Sequence, residues 1–150
     1  MKVEYMNQAL EQARKGALNG EIPVGAVIVF SDKVISRTYN KKEISKCSIK
    51  HAEILAIEEA SMILDDWRLN ECDMYLTMEP CLMCCGALIQ ARIKNVYYLL
   101  NNTKFGGVSF VELLKNEKKY NHQVNYVKVN DEKLNKEAEL LMKNFFIDKR

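Results

Sequence analysis

The 150-residue chain has only two prolines and six glycines. That is too few for a Pro/Gly-rich hinge, and no repeat or low-complexity segment interrupts the sequence. One domain over residues 1–150 is the simplest organisation. No apolar run is long enough to span a bilayer. The opening residues, Met1-Lys2-Val3-Glu4-Tyr5-Met6-Asn7-Gln8, lack a long apolar core and a small-residue cleavage site. The sequence therefore predicts no secretory signal and a cytoplasmic location. An excess of one charge is missing too, since 22 Lys/Arg against 20 Asp/Glu leave a net charge of +2. This balance neither demands nor excludes nucleic acid, because lysines can still gather on one face. Cysteine is present but odd in number: Cys47, Cys72, Cys81, Cys84 and Cys85. In a reducing compartment that argues against a disulfide framework and leaves metal binding, catalysis or core packing.

What is present suits a globular fold. Hydrophobic residues make up 48% of the chain and charged residues 28%, so a core can be buried. Met6, Leu10, Ala13 and Ala17 recur at helical steps, and Asn19-Gly20 ends that helix. Val24 to Phe30 is an apolar run of the kind found in strands buried on both faces. Ser31-Asp32-Lys33 turns the chain into a second strand, Val34 to Tyr39. A lysine-rich loop (Lys41, Lys42, Lys46, Lys50) leads to His51, and Ala52 to Leu64 reads as a largely buried helix with Glu58 and Glu59 on its wet side. Met74 to Thr77 is a short strand. Pro80 marks the start of a helix from Cys81 to Ala91. A strand at Asn95 to Leu100, a loop at Asn101 to Gly107, a short helix near Val111 to Leu114 and a strand at Val124 to Val129 follow. Leu134, Ala138, Leu141 and Phe145 share one face of a closing helix. Alternating strands and helices predict an α/β layer fold. The Phe30–Val34 turn is too short for a crossover, so the first two strands pair antiparallel and the sheet is mixed.

His51, Cys81 and Cys84 form the donor set of a catalytic zinc site, which uses three protein ligands and keeps the fourth position for water. Cys81 and Cys84 are three apart and share a helix face in a first turn, where the helix dipole stabilises thiolates. Glu53 lies two residues from His51, so both face one metal only if His51 sits at an irregular helix entry. Cys85 points about 100° around the helix from Cys84 and reads as a core residue. Zinc acidifies a bound water to a pKa of about 7. Glu53 can take that water's proton and pass it to a ring nitrogen and a leaving amine.

His51-Ala52-Glu53 followed by Pro80-Cys81-Leu82-Met83-Cys84 resembles the signature of the zinc nucleoside and nucleobase deaminases. Within that superfamily the chain is similar to the bacterial-type tRNA adenosine deaminases. The likeness continues through Ile22-Pro23-Val24-Gly25-Ala26, Tyr39-Asn40, Thr77-Met78-Glu79, Gly86 to Ile93, Asn121-His122-Gln123-Val124 and Phe145-Phe146. The resemblance implies a three-layer α/β/α sandwich with a five-stranded mixed sheet, of the cytidine deaminase type. It implies hydrolysis of adenosine to inosine at the wobble position of a tRNA, one zinc ion per subunit and a homodimer. It places Asn40 and the Ala52 backbone at the purine and Phe145 near the anticodon nucleotides. Val24, Met78, Asn102 and Lys104 are assigned to substrate by the same likeness. Asn102 stands where the family usually has an acid, Phe105 is unusual in its loop, and Cys85 replaces a common alanine.

Other readings stay open at this point. A Cys-x-x-Cys can be a redox pair or half of a closed structural zinc site, which His122 or Cys72 could complete. A free guanine or cytosine deaminase could use the same residues, and so could a non-catalytic zinc-stabilised RNA-binding subunit. The loop lysines suit a solvated surface and phosphate contact equally. Cys47 and Cys72 suit packing or surface positions, and His122 an anchoring one.

Overall fold

The computed structural model describes residues 1–149. The elements in chain order are α1 (Val3–Leu18), β1 (Gly25–Phe30), β2 (Lys33–Tyr39), α2 (Lys42–Ser45), α3 (Ala52–Leu64), β3 (Cys72–Met78), α4 (Leu82–Gln90), β4 (Asn95–Leu100), α5 (Val108–Lys115), β5 (Asn125–Lys128) and α6 (Glu132–Asp148). The five strands form one sheet in the order β2-β1-β3-β4-β5. β1 is antiparallel to β2 and β3, whereas β3, β4 and β5 run parallel. The sheet is therefore mixed, as the short first turn requires. Ser31 and Asp32 both adopt positive φ (49° and 59°) between Phe30 and its partner Lys33. That is the backbone of a two-residue hairpin turn whose twist matches the strands.

Strand periodicity divides the core. Ala26, Ile28, Met74, Leu76, Val96 and Tyr98 face one side, where Ala52, Ala56 and Ala60 of α3 pack with Leu88 of α4 and Val111 of α5. Val27, Val29, Tyr75 and Leu99 face the other, against Met6, Ala9 and Leu10 of α1 and Leu134 and Ala138 of α6. The result is a three-layer α/β/α sandwich. Both parallel crossovers, through α4 and through α5, return on the same face, as one handedness of connection requires. Close packing of α1 fixes one residue type: a Cβ at Gly25 would collide with the backbone of Ala9 and Ala13.

Four local expectations change. The lysine loop contains a one-turn helix, α2, because the buried Glu21 carboxylate accepts the Glu43 and Ile44 amides at 2.9 and 2.6 Å. The third helix is not largely buried. It touches the sheet through an alanine stripe and leaves Met62 81% exposed and Ile63 63% exposed. The strand expected at Met74 to Thr77 runs the full length of β3, two residues further at its start. Cys81 is the extended N-cap of α4 (φ −71°, ψ 173°) rather than its first helical residue, which puts Pro80 outside the helix.

Candidate active site

Two helix starts meet at the ends of the strands. His51 is the N-cap of α3, with extended backbone at φ −74°, ψ 156°. This irregular entry lets His51 and Glu53 serve one point although they are two residues apart. Cys81 is the N-cap of α4, and Cys84 lies in its first turn. His51 Nδ1 is 3.7 Å from the Cys81 sulfur and 3.6 Å from the Cys84 sulfur. The three donor atoms all lie within 4.8 Å of one another. Tetrahedral zinc with ordinary bond lengths would separate such nitrogen and sulfur ligands by about 3.6 Å. The two sulfur-to-nitrogen distances thus fit a shared metal ion, with Nδ1 as the imidazole ligand atom.

The electrostatics follow from proximity. The Cys81 thiol is lowered to about 4, first by its hydrogen bond with Cys84 and also by His51. The same Cys81 partner, with burial, pushes Cys84 up. The pair therefore holds one thiolate, on Cys81, stabilised further at a helix N-terminus. The hydrogen bond with Cys81 raises His51. Glu53 is 4% exposed, and burial raises its carboxyl above the usual range. A carboxyl held in this position is placed to take up a proton and hand it on.

Asn40 is buried, and its Oδ1 accepts the Lys42 amide at 3.1 Å, which leaves its Nδ2 as the free donor. Its own N–H donates to the Val24 carbonyl at 3.1 Å, so Val24 and Asn40 form one wall. The Ala52 carbonyl accepts the Thr38 hydroxyl at 2.7 Å. Met78 closes β3 opposite Leu100. The loop after β4 carries Asn102 and the exposed Lys104. Phe145 belongs to a separate patch on the last turns of α6. It packs edge-to-face on Phe146 at 5.4 Å with Lys149 above its ring at 5.5 Å.

The remaining cysteines and histidine fall into place as structure. Cys72 and Cys85 are buried in the core, and Cys47 is half-buried in the α2–α3 loop. His122 Nε2 donates to the Ile93 carbonyl at 2.8 Å, away from the cluster. Among the described residues no other group of histidine, cysteine or carboxylate side chains is placed to hold a metal.

The sequence pattern overlooked two carboxylates. Glu21 anchors α2. Glu79 accepts the amides of Asn102 and Val108 at 3.2 Å each and so clamps the loop after β4 against the site. An acid beside a Pro-Cys pair in an apolar setting is the only sequence signal for Glu79.

The model of the MafB19-like deaminases matches residues 1–150. The chain belongs to this deaminase family. Among its relatives, the tRNA-specific adenosine deaminase of Bacillus subtilis is 39% identical to it, over 82% of this chain and 76% of the relative. That of Buchnera aphidicola is 36% identical over 97% of this chain and 94% of the relative. A solved structure from studies of A-to-I editing by tRNA:A34 deaminases superposes with a TM-score of 0.85. It is 31% identical to the deaminase, over 93% of this chain and 99% of the other. A guanine deaminase from Bacillus subtilis is also similar, with a TM-score of 0.66 and 29% identity over 95% of each chain. The five-stranded sheet and its helices are the cytidine deaminase-like fold of these structures.

Proposed function

We propose that the chain is a zinc-dependent tRNA deaminase that hydrolyses adenosine to inosine at the wobble position. The observation that carries this reading is the convergence of His51, Cys81 and Cys84 beside a buried Glu53. Relatives 36–39% identical across most of the chain supply the substrate class.

His51 Nδ1 and the Cys81 and Cys84 sulfurs would hold zinc, which when bound would supply the Lewis acidity that makes water a nucleophile near neutral pH. The chain's own residues do the rest. Glu53 takes one proton from the attacking water and delivers it to the ring nitrogen, then takes the second from the new C6 hydroxyl and delivers it to the departing amine. A C6–O bond forms, the C6–N bond breaks and ammonia leaves. Asn40 Nδ2 donates to the purine, and Val24, Met78 and the Ala52 backbone shape the pocket. The adenosine must leave its stack for C6 to reach the cluster. Lys104 and Asn102 meet the sugar–phosphate of that nucleotide. The amide at 102 accepts the Phe105 amide at 3.1 Å as a carboxylate would, without its charge. Phe145 and its aromatic neighbour meet the anticodon flank from α6. Residues 1–150 act as one deaminase domain.

The proposal extends to a cytoplasmic homodimer. Met62 and Ile63 on α3 and Leu82 and Met83 on α4 are exposed apolar side chains that a second copy would cover. Among the described residues no helix is long and apolar enough to cross a membrane. A free-guanine reading has its own support in the likeness to guanine deaminase. The deciding assay offers purified zinc-loaded protein an anticodon stem-loop with adenosine at the wobble position, alongside free guanine. Inosine in the stem-loop is expected. Ammonia from guanine alone would replace the tRNA reading.

A further inference from the structure

Phe105 holds an apolar ring in solvent at the rim of the site, 72% exposed. Hydration of such a ring is unfavourable, and no described residue covers it. Its backbone, by contrast, is tied down. The Phe105 amide donates to Asn102 Oδ1 at 3.1 Å, and the Gly106 amide donates to the Asn102 carbonyl at 3.0 Å. Gly106 pairs with Cys81, and the Gly107 amide donates to the Pro80 carbonyl at 3.0 Å. Glu79 grips both ends of the loop, one amide on each carboxylate oxygen. A Cβ at Gly106 would strike the Glu79 carboxylate, and one at Gly107 would strike the backbone of Cys81 and Leu82. The ring therefore rides on a stiff arm, one residue from the strand partner of a candidate metal ligand. Lys104 beside it is exposed and offers a cation to a phosphate.

We propose that Phe105 is a specificity-determining residue whose ring stacks on the base adjacent to the target adenosine. The proposal rests on the tRNA reading above. Unstacked bases of single-stranded loops are held in this way by aromatic side chains. The contact tolerates any sequence because every base has a π-face. A free base has no neighbour to offer, so this platform serves only a polynucleotide. Its stiffness matters, because a ring already in place loses little freedom on binding.

The test uses the zinc-loaded full chain and the anticodon stem-loop with a single abasic site on either side of the target. Phe105→Ala should raise KM on the intact stem-loop by roughly 5- to 150-fold, the equivalent of about 1–3 kcal/mol of stacking. Its kcat should change little, and Phe105→Trp should restore KM. One of the two abasic substrates should cost the wild type the same factor and cost Phe105→Ala nothing more. A 2-aminopurine at that position should be quenched on binding the wild type and not the alanine variant. Unchanged KM, or losses that simply multiply, would overturn the stacking. So would an alanine variant of altered sedimenting mass, which would assign the ring to a contact between copies. If the wild type deaminates guanine and neither edits nor binds the stem-loop, the tRNA reading falls and the platform with it. If the wild type binds without editing, the quenching still decides the role of Phe105.

Discussion

Each side chain at the candidate site does one separable job, so single substitutions should separate them. Glu53→Gln keeps the size and burial of the side chain and removes the acid–base group. It should lower kcat by about 100- to 10,000-fold while the protein still binds one zinc, counted by metal analysis after gel filtration. Loss of zinc along with activity would make Glu53 a ligand or a structural support instead of a proton carrier. Cys81→Ala removes the residue that carries the thiolate. The same metal analysis should find the zinc lost. These residue types were legible because their chemistry is local: His-x-Glu and Cys-x-x-Cys announce ligands and a base without any fold. The roles of Glu21 and Glu79 were not legible. Their partners lie 22–29 residues away in sequence, and no spacing rule connects a carboxylate to a remote amide.

At the scale of elements, apolar periodicity gave the strands and the long helices to within one or two residues at most ends, and failed where a partner sets the boundary. α2 is the clearest case. Four residues cannot hold a helix by themselves, and α2 buries no side chain of its own. Two amides on a fully buried carboxylate hold it. Glu21→Ala should therefore release α2 without unfolding the sheet. Hydrogen exchange at Glu43 and Ile44 should speed up by roughly tenfold or more, the effect of losing hydrogen bonds to a charged acceptor. Unchanged exchange there would mean that the loop is held by something else. The α1–β1 contact makes the opposite kind of prediction. Gly25→Ala forces a methyl group into the backbone of Ala9. It should cost about 1–3 kcal/mol as overpacking, visible as a fall of several degrees in Tm. A variant as stable as the wild type would show that α1 can retreat from β1 at no cost. Helix burial was misjudged for a related reason. α3 is apolar nearly all round, and composition does not tell which stripe meets the sheet.

Over the whole molecule, burial of titratable side chains in the core ties stability to pH. Cys72 is fully buried, and burial raises its thiol to about 11. In the unfolded chain the thiol ionises near about 8.5. The folded state thus favours the protonated form. Its contribution to stability is complete below about 8.5 and is lost as pH rises through about 11. Tm should fall across that window, and the fall should be shallower in Cys72→Ala. Equal slopes in the two proteins would assign the alkaline loss to other groups. The half-buried Cys47 should react with an alkylating reagent well before Cys72 does in the native protein.

The sequence by itself determined the donor set, the α/β class and the mixed sheet, because ligand chemistry, apolar period and turn length act over a few residues. Tertiary structure decided the rest. The spacing of His51 from the two cysteines exists only where two helix starts, 30 or more residues apart in the chain, converge. The clamp of Glu79 and the exposed ring of Phe105 likewise depend on segments that meet only in the fold. Such contacts arise from packing between distant segments, and local sequence carries no term for the distance between them.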